Sequence, residues 1–137
     1  RPTNLYDLME QVFNIENILS KNDDLIIISK DEPNDSLINS LKQIYEHDGV
    51  FISLINIERL QFNILNHTLV PKITVLNNDE KDIFMKNYGI KNINEVPSVS
   101  RFDPTSIVLG VRPGDVVEFE RSSKTSIKSK FYRICSH

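Results

Sequence analysis

From Asn4 to Leu19 apolar residues recur at Leu5, Leu8, Val12, Ile15 and Leu19, with Met9 and Phe13 beside them. Steps of three and four place these side chains on one stripe, so the spacing predicts an amphipathic helix over Asn4 to Leu19. Leu25-Ile26-Ile27-Ile28-Ser29 is a short, β-branched run and reads as a buried strand. Asp31-Glu32-Pro33-Asn34-Asp35 is turn chemistry, in which Asn34 or Asp35 can cap a helix carrying Leu37, Leu41, Ile44 and Tyr45. Gly49 stops that helix and Val50 to Ile55 supplies the next strand. Connections this short make the two strands parallel neighbours in one α/β layer.

The pattern changes near Leu60 to Leu65. Residues 60–76 read as extended and broken at Pro71, and Asn77 stands three positions ahead of Glu80, the spacing of a capping box. The helix it opens holds Ile83, Phe84 and Tyr88 and ends at Gly89; Pro97 then interrupts an extended stretch. Asp103-Pro104 is a cap followed by a proline at the first helical position, opening a short helix that stops at Gly110. Arg112-Pro113-Gly114-Asp115 has Pro and Gly where a type II turn requires them. Val116 to Arg121 and Ile127 to Cys135 form an antiparallel pair joined by the polar loop Ser122–Ser126. The expected class is α+β/α-β: an N-terminal α/β domain over residues 1–62, then a small mixed α/β domain over residues 63–137.

Composition narrows the classes. A chain of 137 residues with 26% charged positions and net charge -3 is long enough for its own core and is not a disordered segment. The longest purely apolar run, Leu25 to Ile28, is far short of the roughly 20 residues of a membrane span, so no membrane partner is expected. A lone Cys135 allows no internal disulfide and points to a reducing compartment. Arg1 in place of an initiator methionine points to residues ahead of it or to processing. There are 18 Ile, 14 Asn and no Ala, the bias of an AT-rich genome.

Charge is unevenly spread. Residues 1–48 hold ten acids against four bases, whereas residues 121–137 hold Arg121, Lys124, Lys128, Lys130 and Arg133 and no acid. That tail is either a face for an acidic partner or a solvated strand edge on which lysines discourage aggregation.

Candidate chemistry is sparse. Carboxylates pair at Asp23-Asp24, Asp31-Glu32 and Asp79-Glu80, and Asp79-Glu80-Lys81 has the acid-x-Lys form of some metal nucleases. It also sits at a helix start, where the helix dipole alone favours acids. Cys135 and His137 have no second pair at metal-ligand spacing, and His47 and His67 stand apart from them. Neither a Gly-x-Ser-x-Gly elbow nor a phosphate-cradling glycine loop is present. The residues therefore describe a binding or assembly module, with no catalytic residue, metal or cofactor expected.

A series of fixed words occupies the second half in order. His67-Thr68-Leu69-Val70-Pro71-Lys72 is followed by Asn78-Asp79-Glu80-Lys81, Tyr88, Val96-Pro97-Ser98-Val99 and Asp103-Pro104. Gly110, Arg112-Pro113-Gly114-Asp115-Val116-Val117, Glu120-Arg121-Ser122, Thr125 and Tyr132-Arg133-Ile134 complete it. Over about residues 62–137 this closely resembles a small subunit shared by cellular DNA-directed RNA polymerases, the fifth-largest in eukaryotes, together with its shorter archaeal counterpart.

The resemblance implies a non-catalytic polymerase subunit whose C-terminal assembly domain docks on the largest subunit beside neighbouring small subunits, as a monomer within the complex. Eukaryotic and large-virus members add an N-terminal jaw near downstream duplex DNA, and archaeal members lack it. Residues 1–62 look similar to part of that jaw, truncated. The Arg112-to-Asp115 turn and the Ile/Asn bias lean towards a large DNA virus, with host cytoplasm or virion as location, or the nucleus for a cellular eukaryotic source. On this reading the partner interface draws on His67, Leu69, Val70, Lys72, Arg112, Arg121 and Arg133. Leu69 and Val70 supply apolar area, and arginine forks onto carboxylates and carbonyls; the same cations also read as ordinary surface charge.

Some positions depart from the family. The usual His after Val-Pro-Lys is Ile73, an acid is replaced by Lys124 and a basic residue by Ser98. The loop Asn56-Ile57-Glu58-Arg59 lacks the Thr-Pro-Ser-Ala word of cellular members, which leaves Arg59 as its one candidate DNA phosphate contact. Two other classes compete: a free transcription regulator or DNA-binding protein using the same assembly module, and a nuclease using the N-terminal α/β unit, for which Asp79 and Asp24 are the carboxylates to substitute.

Overall fold

The Asp31–Asp35 turn resolves its own ambiguity in favour of Asn34, whose side chain accepts the Leu37 N–H at 2.8 Å and so satisfies one of the orphan donors of a helix start. The structure is a computed structural model that describes residues 5–16, 18–20, 23–122, 125 and 127–137. It divides into two units at the Asn56–Ile57 junction, ahead of the Leu60-to-Leu65 stretch where the pattern changes.

In the first unit α1 (Leu5–Met9) continues as π-type turns over Glu10–Ile15, in which the Glu16 N–H reaches the Gln11 carbonyl at 2.8 Å. The single helix expected to Leu19 is therefore wrong in its second half. Hydrogen bonds five residues back widen the coil and break the 3.6-residue stripe, and Val12, Asn14 and Ile15 are weak helix formers. Asn4 and Asn17 of that span lie outside the described residues.

β1 (Leu25–Ser29) and β2 (Ile52–Asn56) pair in parallel, Leu25 opposite Ile52 and Ser29 opposite Asn56. The crossover between them is α2 (Asp35–Asp48), ended by Gly49 at φ +71°, a left-handed conformation that costs glycine nothing. Leu41, Ile44, Val50, Phe51 and Ile52 are its buried core, and the Tyr45 and Phe51 rings meet edge to face at 5.9 Å. β1 is not buried on both sides as its apolar run suggested. Strand residues alternate between faces, and Ile26 and Ile28 are 62% and 57% exposed.

The second unit opens with two 3₁₀ turns, Ile57–Leu60 in the expected loop and Ile64–Asn66 where an extended chain was expected. Asn63 explains the second: its side chain accepts the Leu65 N–H at 3.0 Å, offering the backbone an alternative to a strand. β3 (Lys72–Val75) follows, then α3 (Asn78–Tyr88) behind the full capping box, Asn77 taking the Glu80 N–H at 2.8 Å while Glu80 takes the Asn77 N–H at 2.9 Å. A 3₁₀ turn at Ile93–Glu95 leads to β4 (Ser98–Ser100), and Asp103-Pro104 opens α4 (Pro104–Leu109). β5 (Val116–Arg121) and β6 (Ser129–Ser136) close the sheet, in the order β3-β5-β6-β4. β3–β5 and β5–β6 are antiparallel and β4–β6 is parallel.

Period-two alternation gives this sheet two apolar faces. Val116 packs with Phe84 of α3 and Val96, whereas Val117, Phe119 and Cys135 pack with Val111. Val111, Val116 and Val117 are at most 2% exposed, and burying each contributes about 1.5–3 kcal/mol. Gly114 at φ +91° occupies the type II turn, and its N–H reaches the Cys135 carbonyl at 2.9 Å, stitching the turn to β6. Among the described residues no helix is long and apolar enough to cross a membrane.

Candidate functional site

Three pieces of chain converge on the Val117–Phe119–Arg121 face of the sheet. The first is the segment ahead of β3. His67 closes the Ile64–Asn66 turn with its N–H on the Ile64 carbonyl at 3.1 Å, and its carbonyl takes the Val70 N–H at 3.0 Å. The Leu69 N–H donates to His67 Nδ1 at 3.2 Å, assigning that nitrogen as the acceptor. This tight local bonding leaves the Leu69 side chain 85% exposed, and Pro71 then holds the chain extended into Lys72.

The second piece is the β5–β6 pair. Phe119 stands opposite Phe131, and the two rings stack at 4.9 Å, 5° from parallel. The Arg121 guanidinium lies 5.6 Å from the centre of the Phe131 ring. Arg133, on the same face, donates Nη1–H to the Ser98 carbonyl at 3.2 Å and so ties β6 to the start of β4. The third piece is the β4–α4 connection, where Asp103 accepts both the Thr105 N–H at 3.0 Å and the Thr105 hydroxyl at 2.6 Å.

Together they enclose a groove of about 720 Å³. Leu69, Val70, Lys72, Arg121 and Arg133 all line it, five of the seven residues assigned to the partner interface from sequence. His67 does not; it shapes the turn that presents Leu69. Arg112 is exposed at the type II turn, where its N–H donates to the Asp115 carboxylate at 2.8 Å, away from the groove. Arg59 is exposed in the Ile57–Leu60 turn and also stands outside it. Phe119, Phe131 and Thr105 line the groove without having been singled out in the sequence, as do Val99 and Asp103, which the sequence offered only as family words and a helix cap. Period two within each strand groups Phe119 with Arg121 and Phe131 with Arg133, but the register that joins the two groups depends on the intervening loop.

Electrostatics on the strands are ordered across the pair. Lys128 meets Glu120 at 2.8 Å and Lys130 meets Glu118 at 3.0 Å. The Lys128 ammonium, by hydrogen bond and charge, holds the Glu120 carboxyl below its usual range, and Lys72 and Lys130 add to the effect. Burial pushes the Cys135 thiol up to about 11, Asp115 adding to the rise and Arg101 opposing it, so the thiol stays protonated at neutral pH. A protonated, buried thiol behaves as a small apolar core group.

The acid-rich triplet Asp79-Glu80-Lys81 is occupied structurally. Glu80 completes the capping box, and Lys81 Nζ donates to the Gly114 carbonyl at 2.8 Å, tying α3 to the type II turn. No group of three or more His, Cys, Asp or Glu positioned to hold a metal is found among the described residues. Lys124, a departure from the family words, lies outside the described residues, whereas Ser98 starts β4 and Ile73 lies half-buried in β3 against the Val117–Phe119 cluster.

Residues 62–135 match the family described as RNA polymerase Rpb5, C-terminal domain. The chain is 39% identical over 74 residues to the DNA-directed RNA polymerase subunit Rpo5 of Thermococcus kodakarensis, covering 54% of this chain and 89% of the relative. It is 38% identical over 74 residues to Rpo5 of Thermococcus onnurineus, with the same coverage. Against Rpo5 of Archaeoglobus fulgidus the identity is 36% over 75 residues, 55% of this chain and 97% of the relative.

Proposed function

The chain belongs to the RNA polymerase Rpb5 C-terminal domain family, and from that premise we propose that it is a non-catalytic subunit of a multisubunit DNA-directed RNA polymerase. It docks on the largest subunit, beside neighbouring small subunits, through the face that carries the groove. The observation that carries this reading is the match over residues 62–135, which spans the caps, turns and sheet of the second unit. Its support is the convergence of Leu69, Val70, Lys72, Arg121 and Arg133 on one surface. The nucleotidyl-transfer chemistry belongs to other chains of the complex.

Residues 1–62 form a jaw-like domain on this proposal, set beside downstream duplex DNA. Ten acids against four bases over residues 1–48 disfavour phosphate there, so contact falls to the exposed Arg59, in the turn that opens the second unit, and is sequence-independent. A large DNA virus as source, with host cytoplasm or virion as location, rests on the Ile/Asn bias and the Arg112-to-Asp115 turn.

Affinity purification of the tagged full chain from its native or infected cells tests the assignment. The expected result is co-isolation of the largest polymerase subunits with one copy of this chain per complex. Recovery only as a free monomer overturns it, and a substoichiometric amount replaces a core subunit with a regulator.

A further inference from the structure

The groove also specifies what kind of polypeptide it takes. Its floor is apolar, built on the Phe119–Phe131 pair at 4.9 Å with Val70 and Ile73 beside it. Both acids that line it are engaged within the fold: Asp103 accepts from Thr105 at 2.6 and 3.0 Å, and Glu120 holds the Lys128 ammonium at 2.8 Å. The cations Lys72, Arg121 and Arg133 outnumber them. Arg121 is propped on the Phe131 ring, and Arg133 gives one N–H to Ser98 from a guanidinium that carries five. A nucleic-acid strand would need open ring faces for base stacking, whereas Phe119 is only 8% exposed.

We propose that this groove receives an extended acidic segment of the partner polypeptide, seating an apolar side chain against the half-buried Val70 and Phe131 and carboxylates on Arg121 and Arg133. The inference rests on the polymerase assignment above and adds the partner chemistry of that docking surface. Arginine pairs carboxylates through two parallel N–H donors, so the contact is directional as well as charged. Leu69 at the rim offers apolar area to the same segment.

The test uses the full 137-residue chain and a dye-labelled peptide of alternating Glu and Leu around a central Phe, followed by fluorescence anisotropy. The same peptide with Lys for Glu and an oligothymidylate are the competing probes. The acidic peptide is expected to bind at least tenfold more tightly than either, and Arg121→Glu or Arg133→Glu to weaken it tenfold or more. Lys86→Gln, on the exposed surface of α3, leaves binding unchanged. Arg121→Gln and Arg133→Gln, which keep the stem and remove the charge, carry the test if the Glu variants fold poorly; they weaken binding in the same direction. Equal binding of both peptides, preference for the oligothymidylate, or indifference to the arginine substitutions overturns the proposal. Co-purification run in parallel separates the two readings: a chain present once per polymerase but indifferent to the acidic peptide overturns the groove alone. A chain absent from the polymerase overturns the polymerase assignment and the groove with it.

Discussion

The Tyr132 hydroxyl donates to the Glu118 carboxylate at 2.8 Å, and the two residues stand directly opposite each other on β6 and β5. The Tyr132 ring also packs against Phe84 at 4.3 Å and Tyr88 at 5.5 Å, so one side chain joins the β5–β6 ladder to α3. Burial first, and the Glu118 hydrogen bond next, hold the phenol well above its ordinary 10.0.

Tyr132→Phe keeps the ring and removes the hydrogen bond, leaving Glu118 with Lys130 at 3.0 Å. The loss is about 1 kcal/mol in urea unfolding at neutral pH. The sign of the pH effect follows from the raised phenol: folding favours its protonated form, so this stabilisation is present below the unfolded value of 10.0 and falls as pH rises through it. Urea midpoints measured from neutral to alkaline pH should fall more steeply for the wild type than for the Phe variant.

Asn77→Ala removes the side-chain half of the capping box while Glu80 still accepts the residue-77 N–H. Thermal unfolding should report a loss of about 1 kcal/mol. Asn34→Ala at the start of α2 has the same mechanism, and hydrogen exchange at the Leu37 amide, which donates to Asn34 at 2.8 Å, should quicken.

Gly114→Ala meets no heavy atom within 4 Å of the new Cβ, so any cost is backbone strain at φ +91°. That cost is about 1–2 kcal/mol. Asn, which tolerates positive φ better, should cost less at the same position; a loss equal to or larger than that of Ala would mean the turn is under some other constraint. Chemical denaturation of the two variants decides it.

Lys128→Ala should return the Glu120 carboxyl part of the way to 4.5, Lys72 and Lys130 retaining the remainder of the lowering. A carboxyl held low in the fold stabilises above its unfolded value and loses that contribution as pH falls. NMR titration of the Glu120 side-chain carbonyl through the acid range reads both values directly.

Local chemistry was legible and distant pairing was not. Asn34, the Asn77–Glu80 box, Asp103-Pro104 and Pro113-Gly114 act within four residues of themselves, so their spacing is enough to place a helix start or a turn. β4 was hidden because Ser98–Ser100 has no apolar signature and exists through its parallel partner, with Val99 opposite Cys135. The Ile64–Asn66 turn escapes the apolar pattern because Ile64 and Leu65 look strand-like until Asn63 bonds its neighbour. Leu69, Val70, Lys72, Arg121 and Arg133 were legible through the family words. Their convergence on the Phe119–Phe131 pair was not, because it follows from the register of β5 against β6, which spacing within either strand does not contain.

β6 is the last of the four strands in chain order, yet it lies between β5 and β4 and bonds to both. A nascent chain leaving the ribosome therefore presents β3, α3, β4 and β5 before the strand that joins them has emerged. Val117 and Phe119 must wait for Phe131 and Cys135, which makes completion of this unit a late event in synthesis. Chaperone protection of the unsealed sheet would matter most in that interval, and translation paused before Ser129 should yield a protease-sensitive C-terminal half.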